Sequence, residues 1–184
     1  AVWGCTKSVK NSIYITVGTG VGVGVIIGGK PYHGMIHPEG GHIFVHRRPD
    51  DPMAKGICPY HGNCLEGLAS GPAIERRWGR KGAELSDCLA VWELEAFYIG
   101  QAICTYICTL SPERIVVGGG VMHQEQMLPM IRQEVRRQMH GYIQGKGMDK
   151  LEEYIVPVSL GDNQGVMGGV KLAMDAYIEE GGTL

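Results

Sequence analysis

The segment Cys58-Pro59-Tyr60-His61-Gly62-Asn63-Cys64 sets a thiol, an imidazole and a second thiol at three-residue intervals. A compact loop with that spacing can turn all three donors toward one centre, and a tetrahedral ion needs one more. His42 is the expected fourth ligand, because a rigid strand is predicted to begin there; His37 and His46 stand behind it. Two thiolates with two imidazoles select zinc over magnesium or calcium. With four protein ligands the site is closed and structural, since a catalytic zinc keeps a position for water. Such ions contribute on the order of 10 kcal/mol to small zinc peptides, and here one would stitch an irregular loop to a sheet. The alternative reading of the same residues is a pair of surface thiols beside an exposed histidine.

Two carboxylates flank these donors. Glu39 stands three residues before His42 in Pro38-Glu39-Gly40-Gly41-His42, and Glu66 two residues after Cys64. If the loop folds back, both approach the same centre, and a pair of acceptors there suits the vicinal hydroxyls of a polyol or sugar. The other readings are a first-turn acid favoured by the helix dipole for Glu66 and a solvated turn residue for Glu39. Two glycine turns add a second kind of chemistry. Gly18-Thr19-Gly20-Val21-Gly22 can present backbone amides to phosphate oxygens, although any tight hairpin uses glycine. Gly118-Gly119-Gly120 follows an apolar run and precedes a predicted helix, the place where α/β sheets meet nucleotides. Neither turn is a dinucleotide fingerprint or a P-loop with its lysine.

The elements that must position these residues are legible from periodicity. Ile13, Ile15 and Val17 alternate with polar neighbours, and a β-branched run follows the first glycine turn, which predicts a hairpin over residues 12–27. A third strand is expected over 42–45, with irregular chain over 46–64. Short helices are expected over 65–69 and onward to about residue 78, interrupted at Ser70-Gly71-Pro72. The longest helix spans 89–110; Trp92, Ala96, Ile99, Ile103 and Ile107 follow its period, and its remaining faces are apolar enough for burial between layers. A short buried strand around 114–118, a helix over 124–140, a strand over 154–159 and a helix over 164–177 complete the chain. That alternation predicts parallel pairing in an α/β domain, with the ligand crevice at the carboxyl ends of the strands. Cys104 and Cys108, one turn apart on the long helix, are expected to be packing thiols, and Cys5 and Cys88 have no visible partners.

The 184 residues suffice for one substantial domain, with a net charge of −2 and an ordinary 44% of hydrophobic residues. That balance offers no case for nucleic acid or an anionic membrane as partner. The pairs Arg47-Arg48, Arg76-Arg77 and Arg136-Arg137 read as solvated surface. No run reaches the roughly 18 apolar residues of a membrane span, and the first residues do not form a secretory signal. Six unevenly placed cysteines fit a reducing compartment with one metal site, so a cytoplasmic location is expected.

Taken together, His37-Pro38-Glu39-Gly40-Gly41-His42 and the stretch from Cys58 to Cys64 running into Leu65-Glu66-Gly67-Leu68-Ala69-Ser70-Gly71-Pro72 resemble the signature of the ROK family of sugar kinases and repressors. Ser111-Pro112-Glu113-Arg114-Ile115-Val116-Val117-Gly118-Gly119-Gly120-Val121-Met122 and Leu160-Gly161-Asp162-Asn163 extend the likeness over nearly the whole chain. The central histidine of the cysteine loop is similar to the fructokinase branch in particular.

The resemblance implies an actin-like, ribonuclease-H-type α/β ATPase fold, of which residues 1–184 form a single C-terminal lobe carrying the zinc loop. It implies zinc on His42, Cys58, His61 and Cys64, and sugar hydroxyls on Glu39, His42 and Glu66. Gly18, Thr19 and Gly20 match the second phosphate loop, Gly118 and Gly119 the adenosine-side turn, and Asp162-Asn163 lies near the nucleotide edge. The first phosphate loop and the aspartate that serves as general base are expected upstream of residue 1; Asp50, Asp51 and Asp87 do not match that position. The implied activity is phosphorylation of fructose, at its 6-hydroxyl, from ATP with Mg²⁺, by a homodimer. This chain alone is expected to bind rather than turn over. The alternative is the effector-binding lobe of a sugar-responsive transcriptional repressor of the same family.

Overall fold

The computed structural model describes residues 3–145 and 147–183; the Asp162 side chain, expected near the nucleotide edge, lies outside the described residues. Strand β1 (Ser12–Val17) buries Ile13, Ile15 and Val17 and leaves Tyr14 and Thr16 half-buried. Strand β2 (Val21–Ile27) returns antiparallel, with Val21 opposite Val17 across the glycine turn. A two-residue strand β3 (Lys30–Pro31), not expected from the sequence, pairs with the end of β2. On the other side of β1, β4 (Arg114–Gly118) and β5 (Ile155–Pro157) add in parallel, completing the order β3-β2-β1-β4-β5. The parallel pairing expected for the later half is therefore present.

Between the strands run α1 (Leu65–Ala69), α2 (Gly71–Trp78), α3 (Leu89–Leu110), α4 (Met127–Met139) and α5 (Leu151–Tyr154), with α6 (Gln164–Glu179) at the end. Cys64 caps α1 through its sulfur, and Ser70 both ends α1 and caps α2 through its hydroxyl. This explains the break at Ser70-Gly71-Pro72: one residue serves two helix ends, and Pro72 fits the first turn of the next helix. Helix α3 has the predicted span and stops at Ser111, whose left-handed φ of 45° precedes Pro112. Trp92, Tyr98, Ile99 and Ile103 of α3 share one core with Ile13, Ile15, Ile115 and Val117 of the sheet and with Ile131 and Val135 of α4. No residue of α6 is buried. Among the described residues, no helix is long and apolar enough to cross a membrane.

Three expectations need correction. Residues 42–45 do not form a strand: Gly40–His42 is a 3₁₀ turn, and Phe44 makes a single bridge to Cys64. The turn packs so closely on β2 that a β-carbon on Gly41 would lie 1.8 Å from the Val21 carbonyl oxygen, which leaves no room for an extended strand alongside. Arg77 is not solvated surface; it is buried with its partners Asp51 and Glu95. Cys108 is exposed, because it falls in the last turn of α3, where Thr109 and Leu110 are exposed too, whereas Cys104 is partly buried beside the Val135 carbonyl of α4.

Candidate metal and substrate site

The cysteine loop closes on itself before it closes on anything else. The Gly62 amide donates to the Cys58 carbonyl at 2.9 Å, the Ile57 amide to the Gly67 carbonyl at 2.9 Å, and the Gly56 amide to the Asn63 side chain at 2.7 Å. Glycine is needed at two of these crossings: a β-carbon would stand 2.2 Å from the Gly62 carbonyl oxygen at Gly56 and 2.0 Å from it at Gly67. The Leu65 amide then bonds the Ile43 carbonyl at 2.9 Å, bringing the His42 turn onto the loop. Tyr106 of α3 holds that turn from behind through the Gly40 carbonyl at 2.7 Å.

The result brings His42, Cys58, His61 and Cys64 together, with all four candidate ligand atoms within 4.8 Å of one another. His42 Nδ1 lies 3.8 Å from Cys58 Sγ and 3.5 Å from Cys64 Sγ, and His61 Nδ1 lies 3.7 Å from Cys58 Sγ. A tetrahedron with metal–sulfur bonds of about 2.3 Å and metal–nitrogen bonds of about 2.05 Å has S–N edges of about 3.5–3.6 Å. The donor set therefore fits a borderline-soft tetrahedral ion in both chemistry and spacing. Burial opposes ionisation of both thiols. At Cys58 the amides of His61 and Tyr60 outweigh it and bring the thiol down to about 7, whereas burial and the neighbouring Cys58 push Cys64 up to about 11. His37 and His46 stand outside the group: the His37 ring lies against that of His33, 4.2 Å between centroids and tilted by 56°, and the backbone of His46 is clamped by Gln101.

Glu66, in the single turn of α1, joins this group to the first glycine turn. Its Oε2 accepts the Val21 amide at 3.0 Å while its Oε1 faces His42 Nε2 at 3.9 Å. The imidazole of His42 thus presents one nitrogen to the thiols and the other to Glu66. Gly20 is needed beside the carboxylate, since a β-carbon there would lie 2.7 Å from Glu66 Oε2. Glu39 precedes the 3₁₀ turn, is exposed, and among the described residues its carboxylate has no hydrogen-bond partner. Its carbonyl accepts the His42 amide at 2.9 Å.

The Gly18–Gly20 turn is closed by a Gly18 amide bond to the Gly20 carbonyl at 2.9 Å, and the Gly71 amide at the start of α2 bonds Gly18 at 2.7 Å. Thr16, Gly18, Thr19, Gly20 and Glu66 line an open cleft of about 330 Å³ there. A second cleft of about 400 Å³ lies at the carboxyl ends of β4 and β5, lined by Gly118, Gly119, Gly120, His123, Glu125 and Gln164. Gly119 has φ 95°, and a β-carbon on it would strike the Val17 carbonyl oxygen at 2.4 Å. The two turns adjoin: the β-carbon position of Gly18 lies 3.8 Å from the Gly120 nitrogen. His123, Glu125 and Gln164 were not expected in this cleft. His123 and Glu125 follow the glycine turn in the chain and Gln164 adjoins Asn163, so their place was within reach of the sequence, but nothing in their residue types marks them.

Comparisons with known proteins point to one family. A family model described as "ROK family" matches residues 1–176. A Bacillus subtilis protein is 49% identical over 180 residues, covering 97% of this chain and 60% of that protein. A fructokinase of Zymomonas mobilis is 46% identical over 176 residues, covering 95% of this chain and 58% of the fructokinase. The chain thus spans about three fifths of the length of the curated relatives it matches. Among solved structures, a ROK family glucokinase from Streptomyces griseus, crystallised with glucose and AMPPNP, superimposes with a TM-score of 0.72 at 25% identity, over 93% of this chain and 64% of that one.

Proposed function

The chain belongs to the ROK family, and from that premise we propose that it forms the sugar- and zinc-carrying lobe of an ATP-dependent fructokinase of actin-like fold. The reading rests above all on His42, whose two ring nitrogens face the thiols of the metal group and the carboxylate of Glu66. In this reading His42, Cys58, His61 and Cys64 hold a structural zinc. These residues would hold the ion where it would tie the loop to the His42 turn, while Nε2 of His42 faces Glu66. Glu66, His42 and Glu39 orient the hexose through its hydroxyls, fructose being the sugar on the strength of the Zymomonas mobilis relative. The turn at Gly18, Thr19 and Gly20 faces the ATP phosphates, with the Thr19 and Gly20 amides as donors because that of Gly18 is held by the Gly20 carbonyl, and Gly118 and Gly119 form the adenosine side. The Streptomyces griseus relative, crystallised with glucose and AMPPNP, supports a sugar and a nucleotide as the ligands.

The sugar hydroxyl attacks the γ-phosphorus, the bond to the β-phosphate oxygen breaks, and ADP leaves. Mg²⁺ accompanying ATP supplies the charge neutralisation that such transfers require. Glu66 is not assigned as the base that takes the hydroxyl proton, because one of its oxygens is committed to the Val21 amide; the resemblance puts that aspartate upstream of residue 1. The fructokinase relative favours the kinase over a repressor's effector-binding lobe. Reduced thiols at the metal group fit the cytoplasm, and a homodimer follows from the resemblance. In the whole protein, Glu66→Ala should lower kcat/KM for fructose about 10- to 100-fold, the scale of losing a charged hydrogen-bond acceptor, in a coupled ADP-release assay. Wild-type kcat/KM in that variant would contradict the assignment.

A further inference from the structure

Behind the site lies a group of charges that the proposed reaction does not use. Arg77, on the inner face of α2 beside Ala73 and Ile74, sends each arm of its guanidinium to a different segment. Its Nε donates to Asp51 Oδ1 at 2.8 Å, its Nη1 to Glu95 Oε1 at 3.1 Å, and its Nη2 to the Leu68 carbonyl at 2.7 Å. Asp51 also receives the Met53 amide at 2.7 Å and the Tyr98 hydroxyl at 2.6 Å, and the Tyr98 oxygen in turn accepts the Arg48 amide at 3.1 Å. Arg47 reaches the Asp51 carbonyl at 2.8 Å. The side chains of Arg77, Asp51 and Glu95 have no exposed surface.

The connectivity matters more than the charge. Asp51 and Met53 belong to the arm that enters the metal loop at Cys58. Leu68 lies two residues after Glu66 and four after Cys64, where the chain leaves that loop. Both flanks of the loop therefore end on one guanidinium, which is itself anchored to Glu95 of α3. Helix α1 has only five residues, too few to fix its own direction, so its aim, and that of Glu66, is set from outside, by the core packing of Leu65, Leu68 and Ala69 and by directed bonds, of which that from Arg77 to Leu68 is one. A buried ion pair is a poor stabiliser compared with apolar packing. A planar fork, however, can hold acceptors from separate segments at set angles, which neither lysine nor an apolar side chain can do.

We infer that Arg77 and Asp51 are positioning residues that hold the two flanks of the metal loop in the register that brings His42, Cys58, His61, Cys64 and Glu66 together. This rests on the zinc reading given above. The test uses the full chain and two readouts: zinc affinity by competition with a chromophoric chelator, and the visible absorption of the Co²⁺-loaded protein, which reports tetrahedral sulfur–nitrogen ligation. Arg77→Met and the isosteric Asp51→Asn should each weaken zinc about tenfold or more, as loss of an outer-shell support does, and should alter the Co²⁺ spectrum. Arg76→Met, at an exposed position, should bind as wild type. Ile131→Val, fully buried in α4, should lower the melting temperature without weakening zinc, which separates positioning from general destabilisation. If Arg77→Met does not fold, Asp51→Asn decides. Wild-type zinc affinity and Co²⁺ spectrum in a variant that melts earlier would overturn the inference and leave the zinc reading intact. A wild-type chain that takes no zinc would overturn both.

Discussion

Over residues 12–27 and 89–157 the backbone is mostly regular and held by apolar side chains, many of them fully buried. Over residues 40–70 it is mostly irregular; Leu65, Leu68 and Ala69 join the core, but the turns are tied by single polar atoms: the Glu66 carboxylate on Val21, Asn63 on Gly56, Tyr106 on Gly40, and Arg77 on Leu68. In the first region stability is spread over many contacts, so each position is replaceable by something of similar size. In the second, each link joins two specific atoms across space, and its loss leaves a polar group without a partner. The site is built in the second region and backed by the first. Burial supplies the platform and directed bonds supply the aim.

Trp92→Ala should be the most costly single change in the packed region. It opens a cavity at a side chain only 1% exposed and abolishes the bond from its indole nitrogen to the Leu85 carbonyl. A loss of about 3–5 kcal/mol is expected, measured by urea unfolding. A loss below about 1 kcal/mol would break the comparison, because this half would then not depend on its core.

Glu95 tests the boundary between the regions, since it is an acid set in the apolar face of α3. Burial pushes its carboxyl up to about 8, opposed by Arg77 and reinforced by Asp51. A folded-state value above the unfolded one means that the native protein binds the extra proton between the two. Stability should therefore fall as pH rises from about 5 toward 8, by up to about 1.4 kcal/mol per pH unit. Glu95→Gln, neutral throughout, should remove that slope. The difference between the two stability–pH curves isolates it from every other group, and parallel curves would mean that Glu95 is ionised in the fold.

Gly20→Ala should have the smallest effect on stability, within about 1 kcal/mol, yet a larger one on the site. The new methyl carbon would lie 2.7 Å from Glu66 Oε2 and push the carboxylate aside. Fructose affinity should fall while the melting temperature barely moves. A large stability loss with unchanged affinity would reverse the roles assigned to the two regions.

How much was legible follows the same division. Helix α3 was predicted over the residues it occupies because an all-round apolar period can satisfy itself only by burial. The hairpin and the parallel strands were readable from alternation and element order. The grouping of Cys58, His61 and Cys64 was readable from residue type and spacing, and His42 does lie with them, though not for the reason expected, since no strand begins there. The close approach of Gly41 to Val21 and the bond from the Val21 amide to Glu66 join residues far apart in sequence, and no local period encodes them. Arg77 left a signal that went unread: it falls four residues after Ala73 on the buried stripe of α2. An arginine placed there must find acceptors inside.

The most direct test of the account is fructose affinity, by isothermal titration calorimetry, in the protein before and after zinc is stripped with a chelator. His42 is assigned to both the metal group and the sugar, so removing the ion should weaken fructose about tenfold or more, and re-adding zinc should restore it. Unchanged fructose affinity in protein shown to be zinc-free would contradict the account.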